Sequence, residues 1–229
     1  CYFLIESSNN EECLHGYWLE KYCHDVVDSA FITKSELIYE SLFIWNSYKL
    51  FFSKECDSCR DSWFILDCVN TSNCLGCVNL RNKNYCIFNK QYTKEEYEKQ
   101  IESSNLGSYH NLEKFKKEFN DFALKFIKRY AYIRKSVNSS GNYIVNSKDC
   151  IQSFYVEDAE NVKYGVHVFD TVKDHMDVDT VGIKGSLCYE SINTALGVNN
   201  MRFCMRCWNG FDSLYCDNCD DIKSSFGCV

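Results

Sequence analysis

Apolar positions along the chain follow two regimes. From Asn111 to Tyr130 they recur at steps of three and four, at Leu112, Phe115, Phe119, Phe122 and Phe126, which is the stripe of an amphipathic helix. Just upstream, Thr93-Lys94-Glu95-Glu96 has the form of a capping box and predicts a short helix to about Ser103, closed by Leu106-Gly107. On either side of this stretch the order is one of repetition. A shift of 151 residues lays Phe3-Leu4-Ile5-Glu6 on Phe154-Tyr155-Val156-Glu157, Asn10 on Asn161, His24 on His175 and Val27-Asp28 on Val178-Asp179. Slipped by one residue, Leu37-Ile38-Tyr39-Glu40-Ser41 falls on Leu187-Cys188-Tyr189-Glu190-Ser191. Back at 151, Phe52, Cys56, Asp61, Ser62, Cys68 and Gly76-Cys77-Val78 meet identical residues at Phe203, Cys207, Asp212, Ser213, Cys219 and Gly227-Cys228-Val229.

A finer period lies inside the first copy, where Cys56, Cys59 and Cys68 recur 18 residues later as Cys74, Cys77 and Cys86. That spacing fits one turn of a parallel β-helix, in which equivalent side chains stack on successive turns. In the second copy Cys150, Val162 and Asp174 lie 12 apart, so the turn length is not constant. The expected fold is mainly β with an α insertion. It is a parallel β-helix or β-solenoid of two tandem copies, residues 1–92 and 138–229, interrupted by a helical hairpin over 93–137, the copies forming one continuous domain.

Composition supports β. The 229 residues include 16 Cys, 16 Phe, 16 Tyr and 4 Trp but no Pro, a bias that suits pleated, half-buried surfaces. A chain of this size buries a core without needing disulfides, so the thiols are expected to be reduced and the protein cytoplasmic, with secretion left open. No run of about 18 apolar residues is present to cross a bilayer. A net charge of −7 argues against a general nucleic-acid binder. Cys1 at the start and Gly227-Cys228-Val229 in mid-pattern at the end predict a piece of a longer chain.

The string Asn73-Cys74-Leu75-Gly76-Cys77-Val78-Asn79-Leu80-Arg81-Asn82-Lys83-Asn84-Tyr85-Cys86-Ile87-Phe88-Asn89-Lys90-Gln91-Tyr92-Thr93-Lys94-Glu95-Glu96-Tyr97 resembles the hallmark of uncharacterised, β-helix-like cysteine-repeat proteins of uncultured small-genome bacteria. Gly141 to Cys150 and Cys204 to Val229 resemble the second half of the same pattern, so the likeness covers most of the chain from about residue 56. It implies a repeat fold and a zinc-ribbon-like head ahead of this region, and it implies no activity. The chain departs from the pattern in having fewer cysteines between 24 and 55 and between 151 and 187.

Four Cys-x-x-Cys pairs carry the strongest chemical pattern: Cys56/Cys59, Cys74/Cys77, Cys204/Cys207 and Cys216/Cys219. Four thiolates from two such pairs could hold a tetrahedral zinc ion. Under the 151-residue shift, however, the first quartet maps to Cys207, Gly210, Ser225 and Cys228, and the second to Ser53, Cys56, Ile65 and Cys68. Each loses two donors. Packed interior positions accept Cys, Ser, Gly or Ile by local volume, so stacked core thiols explain the pattern better than a metal.

His24 and His175 occupy equivalent positions beside Asp25 and Asp28, and beside Asp174, Asp177 and Asp179. Such a group suits a metal or acid–base site, although a solvated surface turn is the favoured reading. Asp170, Asp174, Asp177 and Asp179, with Asp217, Asp220 and Asp221, could line a carbohydrate-cleaving groove or bind calcium. The insertion is basic: Lys114, Lys116, Lys117, Lys125, Lys128, Arg129, Arg134 and Lys135 form a candidate surface for a protein, RNA or anionic membrane partner. No phosphate loop, nucleophile elbow or His-Glu-x-x-His is present. The leading expectation is a non-enzymatic, cofactor-free scaffold that binds another macromolecule through its solenoid face or the insertion. A zinc module and a β-helix carbohydrate-active enzyme are the alternatives.

Overall fold

The computed structural model describes residues 1–169, 190, 202–203, 205–206, 212–215 and 217–227. It is mainly β, with two helices and largely parallel strands. The first sheet contains β1 (Tyr2–Ser8), β2 (Leu14–Glu20), β3 (His24–Thr33), β4 (Glu36–Tyr39), β5 (Leu42–Trp45), β6 (Tyr48–Phe51), β7 (Lys54–Asp57), β8 (Arg60–Trp63), β9 (Ser72–Leu75), β10 (Asn84–Ile87) and β11 (Lys90–Gln91). The helices α1 (Lys94–Ser104) and α2 (Tyr109–Ala123) follow, and then a second sheet of β12 (Ile133–Arg134), β13 (Gly141–Val145), β14 (Ser153–Glu157) and β15 (Val166–Phe169). Two compact units result, Cys1–Ile127 and Lys128–Val229. The short strand β12 falls inside the stretch expected to be helical.

The pairing step is twelve residues, not eighteen. His24 pairs with Glu36, Glu36 with Tyr48, Tyr48 with Arg60, Arg60 with Ser72 and Ser72 with Asn84, all parallel. In the second unit the first step is eleven, Ile133 pairing with Ile144, and the next two are twelve, with Gly141 on Ser153 and Phe154 on Val166. Within each step every third residue is buried, as in the run Val26, Ser29, Ile32, Ser35, Ile38, Ser41, Ile44, Ser47 and Leu50. The residue before each buried one has a left-handed backbone, for example Asp25, Asp28, Phe31, Lys34 and Leu37, with φ between 48° and 57°. This turn every third residue returns the chain beside itself after four triplets. An 18-residue repeat keeps Cys buried because it is a multiple of three, yet it amounts to one and a half steps.

Four buried columns follow from this arithmetic. One runs Val26, Ile38, Leu50, Ser62, Cys74, Cys86, and a second runs Ile32, Ile44, Cys56, Cys68. Serines fill the columns between them: Ser29, Ser41, Ser53, and then Ser35, Ser47. Each such hydroxyl is satisfied twice. Ser47 Oγ donates to Trp45 O at 2.7 Å and accepts from Cys59 N at 3.1 Å, one step on. Ser35 does the same with Thr33 O (2.8 Å) and Ser47 N (3.1 Å). A serine can therefore be buried in such a column at little cost, because no polar group is left unpaired.

Between β2 and β3 the step is thirteen, Leu14 pairing with Val27. Lys21 and Tyr22 both have positive φ there, so one extra residue resets the phase of burial. The internal match at 151 is corrected accordingly. Beyond the extra residue it holds, since Ser62 and Ser213, and Cys68 and Cys219, are all buried. Before it the match is one residue out of phase: Ile5 is 62% exposed, whereas Val156 is 1% exposed.

The helices belong to the first compact unit. Thr93 caps α1 reciprocally with Glu96, as the sequence indicated. Phe115, Phe119 and Ala123 of α2 bury against Phe64, Leu75 and Val78 of the sheet region. The helix expected to reach Tyr130 stops at Ala123. Phe126, the last residue of the stripe, still packs against the aromatic cluster from beyond the helix, while Leu124 and Ile127, off the stripe, are 72% and 92% exposed.

Candidate functional site

The Cys-x-x-Cys thiols lie in the core, not at a surface site. Cys56, Cys59, Cys74 and Cys77 are all fully buried, one in each of the four columns, in a cluster with Cys68 and Cys86. Their thiols donate to backbone oxygens, Cys56 to Lys54 O (3.2 Å), Cys59 to Cys68 O (3.4 Å) and Cys77 to Cys86 O (3.4 Å), and Thr71 Oγ1 donates to Cys59 Sγ (3.2 Å). Burial pushes Cys68 up to about 12 and Cys23 and Cys86 up to about 11. Cys59 is pushed the other way, chiefly by its interaction with the neighbouring Cys56 thiol and further by the hydrogen bond from Thr71. Among the described residues no three of these sulfurs lie within 4.8 Å of one another, so the zinc-ribbon quartet is not brought together. The reason is the three-residue turn, which sends the two cysteines of each pair to neighbouring columns. Cys219 is buried, while Cys204, Cys207 and Cys216 lie outside the described residues.

The basic residues of the insertion divide between the two units. In the first, Lys116 is spent internally, 3.5 Å from Glu40 and over the Phe52 ring, and Lys114 pairs with Glu118 at 3.9 Å. Lys117 and Lys125 are exposed. In the second unit Lys128, Arg129, Arg134 and Lys135 are exposed, with Arg129 over the Tyr132 ring and Arg134 Nη1 donating to Tyr132 Oη at 3.3 Å. Asp170, Asp174, His175, Asp177 and Asp179 lie outside the described residues. Among the described residues, Asp217, Asp220 and Asp221 join no convergent ligand group.

The first unit also carries a groove that the sequence did not reveal. It has a volume of about 620 Å3 and crosses the outer side of β1 to β5. Phe3, Ile5, Tyr17 and Leu42 form an apolar side, and His15, Asp28 and Glu40 a polar one. Small residues, Gly16, Ser29, Ala30 and Ser41, make the floor. Gly16 is required there, because a Cβ would overlap the side chains of Leu19 and Leu4. The twelve-residue step explains the assembly: Phe3, His15, Asp28 and Glu40 are successive members of one column of left-handed turns. His15 Nδ1 lies 3.0 Å from Asp28 Oδ1, but no hydroxyl is available as their nucleophile, since Ser29 and Ser41 Oγ both serve the backbone.

At the rim of the same unit, His24 stands among carboxylates. Its Nδ1 is 2.8 Å from Asp25 Oδ2, and its Nε2 is 3.8 Å from Glu11 Oε2. Hydrogen bonding to Asp25, aided by the charges of Glu12 and Glu11, holds the imidazolium form above its ordinary range. Glu12, His24 and Asp25 each offer a ligand atom within 4.8 Å of the others, the only such group among the described residues. The Asp neighbours of His24 were legible in the sequence. Glu11 and Glu12 were not, because only the pairing of strands brings a residue twelve or thirteen positions away alongside.

No family model matches the chain, and no curated protein matches it. A solved structure from Desulfovibrio desulfuricans G20, described as an acetyltransferase, aligns over 91% of this chain at 11% identity and a TM-score of 0.17. The chain spans 61% of the length of that structure. Among the described residues no helix is long and apolar enough to cross a membrane.

Proposed function

We propose that the chain is a non-enzymatic scaffold, a β-solenoid of twelve-residue rounds whose side binds an extended polypeptide. The observation that carries this reading is the groove across β1 to β5, where exposed apolar side chains lie beside Asp28 and Glu40, which His15 and Lys116 hold from within the unit. Phe3 and Ile5 are 68% and 62% exposed, and Tyr17 is 37% exposed. An apolar wall opposite Asp28 and Glu40 suits a partner that carries both apolar and basic side chains. The carboxylates disfavour RNA at this face. The groove is favoured over the basic insertion because it offers exposed apolar side chains to bury, Phe3, Ile5 and Tyr17. The buried thiols Cys56, Cys59, Cys68, Cys74, Cys77 and Cys86 fit a reducing compartment, in keeping with a cytoplasmic setting.

Selection of displayed random peptides on the purified protein tests the proposal. Enriched peptides should pair apolar with Lys or Arg residues and bind Tyr17→Ser at least about tenfold more weakly, as loss of an aromatic anchor does. They should bind Lys125→Glu unchanged. Enrichment that survives Tyr17→Ser but fails with Lys125→Glu would move the surface to the insertion.

A further inference from the structure

We propose that the segment from Leu124 to Tyr130, which leads out of α2, docks the protein on an anionic lipid surface. Leu124, Ile127 and Tyr130 enter the headgroup region, and Lys125, Lys128 and Arg129 meet the lipid charges. The proposal is independent of the peptide groove. Composition sets this stretch apart. The chain has 32 acidic residues in 229, yet none of the 27 residues from Phe122 to Lys148 is Asp or Glu, while six are Lys or Arg. Exposure concentrates the pattern: of the seven residues 124–130 only Phe126 is partly buried, and Tyr130 is fully exposed. Lys114 and Lys116 are paired with Glu118 and Glu40, whereas Lys125 and Lys128 have no carboxylate partner among the described residues.

The first unit holds the start of the segment in shape. Lys125 N–H donates to Phe122 O at 3.1 Å and Phe126 N–H to Ala123 O at 3.3 Å, the Phe126 and Phe122 ring centres are 4.9 Å apart, and Asn79 Nδ2 donates to Ile127 O at 3.3 Å. Little ordering is therefore left for binding to impose, which favours association. The apolar stripe of α2 is used against the sheet region, so Leu124 and Ile127 are surplus to the core. Seven residues are too few for an ordinary protein interface, which takes roughly 20–30 a side. They suit a lipid interface, where apolar side chains sink into the headgroup boundary, Tyr is favoured, and Lys and Arg are drawn to anionic lipid. Lipid is favoured over RNA because single strands stack on aromatic faces, and two of the three exposed apolar residues of the segment are aliphatic. The net charge of −7 does not oppose the contact: charges more than about 8 Å away are screened at physiological salt, so the local excess of cations decides.

Co-sedimentation of the full chain with vesicles tests the surface, using phosphatidylcholine alone and phosphatidylcholine mixed with phosphatidylglycerol. The protein should bind the mixed vesicles and leave the uncharged ones. Replacing both Lys125→Gln and Lys128→Gln should weaken binding at least about tenfold, since each basic residue near an anionic surface is worth about fivefold. Replacing both Leu124→Ser and Ile127→Ser should also weaken it about tenfold, because the inserted apolar area is lost. Tyr17→Ser, in the groove, should bind vesicles like the parent. All four replaced side chains are exposed, and Ile127 accepts from Asn79 through its backbone oxygen, so the urea midpoint should not move. The two double variants test charge and insertion separately, so one remains informative if the other disturbs folding. Equal binding to uncharged vesicles, or parent-like binding by either folded double variant, would overturn the proposal. Capture of a labelled oligouridylate without any vesicle binding would assign the segment to RNA and overturn it too.

Discussion

Ser47 illustrates how the smallest side chains hold this protein together. Its hydroxyl is 4% exposed as a residue, donates to Trp45 O and accepts the Cys59 amide, so it closes a gap that the strand pairing leaves open. Replacing it with alanine strands the buried Cys59 N–H, a loss of about 1–3 kcal/mol. Urea denaturation of Ser47→Ala should show that loss as a lower midpoint at unchanged slope. Ser47→Cys should lose less, because the same column already accommodates Cys59 and Thr71. The interchange of serine and cysteine also explains the high cysteine content. At a fully buried site that accepts a small side chain with a weak donor, a thiol bonded to a carbonyl suffices.

At the scale of the element, α2 is defined by what it covers. Phe115 stands 5.1 Å from the ring centres of both Phe64 and Phe88, and Phe119 5.8 Å from Phe64. These aromatics close one side of the first unit. Phe115→Ala should cost about 3–5 kcal/mol and release α2 before the sheet. Hydrogen exchange will check it: amides of residues 109–123 should lose protection first, while β3 to β6 keep theirs. Equal loss of protection throughout would mean that helix and strands unfold as one unit. Both helices were legible in the sequence, α1 from its capping box and α2 from its stripe. Only the C-terminal end of α2 was misplaced, since Phe126 keeps its contact with the aromatic cluster although the chain has left the helix after Ala123.

At the scale of the whole molecule, the proposed solenoid makes the twelve-residue step a unit of construction. Deleting residues 36–47 removes one full step and joins Ser35 to Tyr48 with the burial phase intact. That variant should still unfold cooperatively, at a lower midpoint, because it loses one round with the buried Ile38, Phe43 and Ile44 and the Lys116–Glu40 pair. Deleting residues 36–45 shifts every later residue by one place in the triplet and should abolish cooperative unfolding. If both deletions behaved alike, the stacking would not be set by the step. The peptide-groove proposal depends on the same property, because the step carries Phe3, Tyr17 and Ala30 into one groove.

The sequence by itself determined the β character, the position of the helical insertion and the presence of buried, repeating cysteines. Those features are written in local order: aromatic and β-branched content, a capping box, a stripe at steps of three and four. The length of the step was decided only in three dimensions. A buried position every third residue is hard to see when alternate buried positions are serines, so Ile32, Ile38 and Ile44 show a period of six and the cysteines one of eighteen. Which column a residue joins depends on backbone pairing across twelve residues and on one extra residue at Tyr22. The gathering of Glu11 with His24, and the separation of the four thiols into four columns, are consequences of that pairing. Neither is encoded in any short stretch of the chain.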